Sequence, residues 1–121
     1  MKARSNYSDE KKLKKILQDR WLGARDRAIS KNIEFSITKQ DLKYLWDKQK
    51  GLCALSGIPM TYEMDSGRVY TNVSIDQIKP SLGYTLDNIQ LVCMGVNQMK
   101  SDLNMEILLF LCKSIIQYHE K

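Results

Sequence analysis

Apolar residues in the first quarter of the chain return to one side at the helical period: Leu13, Ile16, Leu17, Trp21, Ala24 and Ala28 all fall on one stripe. A helix is therefore expected from Ser8, whose hydroxyl suits an N-cap, to about Lys31. Gly23 interrupts it at a cost of about 1 kcal/mol relative to alanine, which predicts either a bend or a close contact there. Phe35-Ser36-Ile37 reads as a short extended piece. Thr38-Lys39-Gln40-Asp41 then has the form of a helix cap, in which the threonine hydroxyl and the aspartate carboxylate occupy free N–H groups. The second helix that follows should bury Leu42, Leu45 and Trp46 and end at Gly51 in a left-handed conformation.

Beyond Gly51 the helical period is lost. Residues 61–72 have no sustained pattern and contain Asp65-Ser66-Gly67, a turn signal, so a loop or loose hairpin is expected. Val73 to Ile78 alternates apolar and polar side chains as a half-buried strand does, placing Asp76 on one face with Ser74 and Ile78, and Lys79-Pro80 ends it. Ser81 to Tyr84 is a turn, Ile89 to Cys93 a second strand, and Met94 to Lys100 a helical stretch. A last helix, Met105 to His119, begins behind Asn104 as its cap. It carries Leu108, Leu111, Cys112, Ile115 and Ile116 on one face, with Leu109 and Phe110 beside them, and is expected to form a main wall of the core. The chain contains no internal repeat.

A length of 121 residues suits one domain with one core, and the mix of periods makes it α+β. Apolar residues at 43% and charged residues at 27% are a globular balance. The longest apolar run, Ile107 to Cys112, is far below the roughly 20 residues that span a bilayer. The opening residues are polar and basic rather than apolar, which points to the cytoplasm. Three cysteines, an odd number, argue against a disulfide framework and for reduced thiols. Charge is uneven: residues 1–50 hold 14 Lys/Arg against 7 Asp/Glu, and residues 51–121 hold 5 against 7. A basic part beside a mildly acidic one suits attraction of a polyanion, although charge alone fits a solvated Lys-rich helix face equally well.

The segment from Gly51 to Leu103 resembles the HNH endonucleases (His-Me finger, ββα-metal), in particular phage-type members with Ser-x-Asp-x-Ile in the central motif. The matching residues are Ser74-Ile75-Asp76-Gln77-Ile78, Gly83-Tyr84-Thr85, Asn88 to Cys93, and Asn97-Gln98-Met99-Lys100-Ser101. Upstream, Ala24 to Ala28, Ile33-Glu34-Phe35, Leu45 to Gln49 and Gly51 to Met60 look like the leader of the same family. The resemblance implies a ββα-metal finger over residues 51–103, embedded in a mainly helical single domain. A basic helical leader over 8–50 would precede it and an apolar C-terminal helix over 104–121 would follow. It also implies a Mg²⁺ or Mn²⁺ ion held by Asp76 and Asn97 against a scissile phosphate. A hard carboxylate oxygen suits that metal, and an amide oxygen can serve as a second ligand. Asn88 matches the asparagine that fixes the loop positioning the catalytic group. Phosphate contacts would come from Lys14, Arg25, Arg27, Lys79 and Lys100. Taken singly, Asn88 also fits an Asx-turn and Asn97 a solvent-facing helix residue.

Two departures qualify that resemblance. Gln77 stands where many members carry the general-base histidine, and an amide cannot accept a proton near neutral pH. The one histidine, His119, lies near the C-terminus at the end of the last helix. Where many relatives brace the fold with two Cys-x-x-Cys pairs, this chain has Cys53 with Ser56 and Cys93 with Val96. Two thiols do not make a tetrahedral structural zinc site. No structural zinc is expected, and Cys53 and Cys93 should be small buried residues facing each other. Cys112 belongs to the apolar stripe of the last helix. Two functions follow: a metal-dependent endonuclease that nicks or cuts duplex DNA, or a catalytically impaired module of the same fold that binds DNA or regulates another protein.

Overall fold

The computed structural model describes residues 2–121, with side chains from Ser8 onward. It is an α+β arrangement of four helices and a two-stranded antiparallel sheet: α1 Lys2–Lys31, α2 Lys39–Lys48, β1 Val73–Gln77, β2 Ile89–Cys93, α3 Met94–Lys100 and α4 Met105–His119. Among the described residues no helix is long and apolar enough to cross a membrane.

Helix α1 buries Leu13, Ile16, Leu17, Ala24 and Ala28, the stripe its spacing predicts. It begins at Lys2, so Ser8 lies inside the helix and is not its cap. The helix runs on through Gly23 without a break, and a Cβ there would stand 3.3 Å from Arg27 Nη1. The start of α2 is a full capping box: Thr38 Oγ1 accepts from the Asp41 N–H, and Asp41 Oδ2 accepts from the Thr38 N–H. Its end turns through Lys50 and Gly51, both with positive φ, and Gly51 donates to Trp46 O.

Strands β1 and β2 pair Val73 with Cys93, Ile75 with Leu91 and Gln77 with Ile89. With α3 following β2 directly, these elements form a strand–strand–helix unit. Helices α1 and α2 pack against the sheet, and Ile16, Leu42, Val73 and Leu91 are buried in the core they share with it. An edge-on aromatic chain runs from Trp21 through Phe35 to Tyr84, and Trp21 Nε1 donates to Ile37 O. The backbone at Glu34 and Ser36 pairs with Tyr84, which ties the α1–α2 connection to the loop between the strands.

Gly83 makes that tie possible. Its φ is +80°, and a Cβ would lie 2.6 Å from Glu34 O, a distance that neither backbone can accommodate without moving. Gly83→Ala should therefore cost well over 1 kcal/mol, since both the conformation and the space exclude it. Urea denaturation reads this directly; an unchanged midpoint would count against the close approach.

Helix α4 departs from expectation. Its bounds and its Asn104 cap are as read, with Asn104 Oδ1 accepting from the Ile107 N–H. Of its apolar stripe, however, only Leu108 is buried. Leu109, Phe110, Leu111, Ile115 and Ile116 are exposed and Cys112 is half-buried, so α4 is not a wall of the core. It touches the body through α3, and most of the rest of its apolar surface is exposed among the described residues.

Candidate functional site

The register of the sheet fixes the centre of the site. Alternation puts Ser74 and Asp76 on one face of β1, and pairing puts Gln90 of β2 directly across from Asp76. Gln90 Nε2 donates to Asp76 Oδ2 at 2.8 Å. Helix α3 crosses above, so its last turn delivers Lys100 to the other carboxylate oxygen: Nζ lies 3.1 Å from Asp76 Oδ1 and also donates to Gln77 O at 3.2 Å. Both side chains are only 3% exposed. Lys100, expected at the surface as a phosphate contact, is instead the buried partner of Asp76. Burial forces this pairing, because an ammonium withdrawn from water without a counter-charge is far more costly than one that is paired.

One turn earlier on α3, Asn97 Nδ2 donates to Ser74 Oγ at 2.8 Å and to Ile75 O at 3.2 Å. Asn88 is buried and wholly committed to the loop after β1. Its Oδ1 accepts from the Lys79 N–H, and its Nδ2 donates to Lys79 O and Gly83 O. The backbone segment entering and leaving the 3₁₀ turn Pro80–Leu82 is thus held by one amide side chain.

Asp76, Gln77 and Asn97 line an open cleft of about 680 Å³ whose other walls include Arg27, Lys31 and Arg68. Arg27 is steered there by its Nε–H donating to Tyr84 Oη at 3.2 Å. Gln77 Oε1 is buried and accepts no hydrogen bond.

The other residues expected at phosphate lie elsewhere. Lys14 is exposed on α1 away from the cleft lining. Arg25 lies over the Trp21 ring, 5.4 Å from its centroid, and beside Asp26. Lys79 lines a different depression, shared with Glu34 and Asp87. Lys31, from the cationic side of α1, does line the cleft, whereas the sequence assigns no role to Arg68 or Gln90. Gln90 was reachable from the strand register, whereas Arg68 sits in a patternless loop that gives no signal.

The residues around Asp76 do not fit a divalent ion. Magnesium prefers a near-octahedral shell of oxygens at about 2.0–2.1 Å. Here Asp76 Oδ1 already carries an ammonium and Oδ2 an amide N–H. Among the described residues no three His, Cys, Asp or Glu side chains come together.

On the far side of the sheet Cys53 and Cys93 do face each other, with the Cys93 N–H donating to Cys53 Sγ at 3.3 Å. Burial and the neighbouring Cys53 push the Cys93 thiol up to about 11. Burial also acts to raise Cys53, but hydrogen bonds from Ser56 and from the backbone of Cys93, Leu55 and Ser56 outweigh it and hold that thiol below its ordinary value. Ser56 thus serves the pair as a hydrogen-bond partner.

No family model matches the chain. An uncharacterised protein of Acanthamoeba polyphaga mimivirus is 31% identical over 103 residues, which is 85% of this chain and 17% of that protein. The chain therefore spans about a sixth of the length of the relative it matches.

Proposed function

We propose that the chain is an HNH-like ββα finger that holds the phosphate backbone of duplex DNA in the cleft walled by Arg27, Lys31 and Arg68, without hydrolysing it. The observation that carries this reading is the convergence of those three cations, from α1 and from the loop before β1, on the cleft built by the strand–strand–helix unit. Exposed guanidinium and ammonium groups around an open groove suit a polyanion, and arginine's fork suits phosphate oxygens. Hydrolysis lacks its parts: Gln77 supplies no base, and Asp76 is committed to Lys100 and Gln90. A metal-dependent nuclease is the second reading, favoured by Asp76 and Asn97 lining the same cleft.

The test is a gel-shift titration on a short duplex across salt concentrations, with chelator present. Replacing Arg27, Lys31 and Arg68 together by glutamine should lower the log–log salt slope by about 2 to 3, at roughly 0.9 per lost phosphate contact. Replacing Lys14 and Arg25 should lower it less. Equal slopes for wild type and the triple variant would remove the cleft from the reading. Supercoiled plasmid with magnesium or manganese separates the alternatives: sustained metal-dependent nicking by wild type would establish the nuclease instead.

A further inference from the structure

We infer that Lys100 is a tethered replacement for the divalent ion of the ββα-metal site, so that the cleft is complete, and binds phosphate, in the absence of any metal. This rests on reading the strand–strand–helix unit as an HNH-like finger.

A carboxylate at the end of the first strand of such a unit holds an external cation in the members the sequence resembles. In this chain a cation from the chain itself, borne by the last turn of α3, is in contact with that carboxylate. The ammonium is fixed by a second acceptor, Gln77 O, and by burial of the whole side chain, so it is not a surface lysine that has drifted onto a vacant acid. The remaining oxygen is turned toward Gln90. An incoming divalent ion would have to strip Oδ1 of its ammonium and leave that ammonium in a low-dielectric interior with only one carbonyl as partner. The cost of an unpaired buried charge opposes the exchange.

The charge balance differs accordingly. Asp76 and Lys100 sum to zero, so the attraction for phosphate resides in Arg27, Lys31 and Arg68, and a chelator has nothing to remove.

Manganese binding to the free protein, followed by electron paramagnetic resonance, tests this without nucleic acid or activity. Wild type should bind Mn²⁺ no more tightly than about 1 mM. Lys100→Met keeps the apolar stem and removes the ammonium; it should bind at least about tenfold more tightly, and the double variant Asp76→Asn/Lys100→Met should lose that gain. Tight binding by wild type that disappears in the double variant overturns the inference. So does a folded Lys100→Met that gains no affinity. Should Lys100→Met fail to fold, the wild-type and double-variant titrations still decide. Failure of the DNA-binding reading would show separately, as absence of any gel shift, while the manganese titration continued to report on Lys100.

Discussion

Asp76→Ala should destabilise the protein by about 3 to 5 kcal/mol, the range measured when one partner of a buried ion pair is removed and the other left uncompensated. Lys100 has no route to water without unwinding the end of α3, since its side chain is 3% exposed and its second acceptor is the Gln77 carbonyl. The loss is in the orphaned ammonium more than in the missing attraction. Lys100→Met alone leaves the carboxylate with Gln90 as its remaining partner and should also be costly. Pairing Asp76→Asn with Lys100→Met removes both charges together and should recover most of the stability, because apolar or neutral replacements of whole buried pairs are often close to neutral. Urea denaturation of wild type, Asp76→Asn, Lys100→Met and their double variant closes the cycle. A coupling energy below about 1 kcal/mol would mean that the pair is not buried as described. Asp76→Ala is consequently a poor probe of function by itself, since lost binding or cleavage in that variant would be confounded with unfolding.

Leu91→Ala should be the other severe substitution, at about 2 to 5 kcal/mol. Leu91 is fully buried at the centre of β2, across from Ile75, where the sheet meets α2. Truncation there leaves a cavity that flanking strand and helix cannot close, because Gln49 clamps the backbone of the same residue on both its N–H and its C=O. The loss should lower the melting temperature by about 8 degrees or more, at the roughly 4 degrees per kcal/mol that lies between the values for smaller and larger domains. Leu109→Ala makes the contrast: it removes the same atoms from an exposed position on α4 and should change the melting temperature little. Similar effects for the two would mean that α4 is covered in solution.

Much of the fold was legible because its signals are local. The capping box at Thr38 and Asp41, the left-handed exit at Gly51, the alternation of β1 and the Asn104 cap each involve residues a few positions apart. The misreadings are of another kind. The stripe of α4 shows which side of the helix is apolar, but not whether any part of the chain lies against it, and among the described residues only Leu108 of that stripe is buried. The resemblance makes Lys100 a phosphate contact; its burial is not legible because lysine is seldom fully buried unless paired, and its partner lies 24 positions away on another element. Arg68 and Lys31 reach the cleft only because α1 and the loop before β1 fold toward it. Asn97 and Asp76 were expected to share a metal; the helix brings both to one cleft, yet gives Asn97's amide nitrogen to Ser74 and Ile75.

Those last contacts belong to a wider pattern. The outward carbonyls of β1 at Val73, Ile75 and Gln77 are taken in turn by Arg20, Asn97 and Lys100, side chains from α1 and α3. On β2, the Gln49 amide pairs with both the N–H and the C=O of Leu91 as a neighbouring peptide group would, and Cys53 Sγ accepts from the Cys93 N–H. A two-stranded sheet has nothing but edges, and an uncovered edge is a template on which another chain can add a strand. Here side chains stand in for the missing neighbours on both sides. Asn97, which lines the cleft, thus belongs also to the set of side chains that keeps the sheet from growing, and that set protects the molecule from strand-by-strand aggregation.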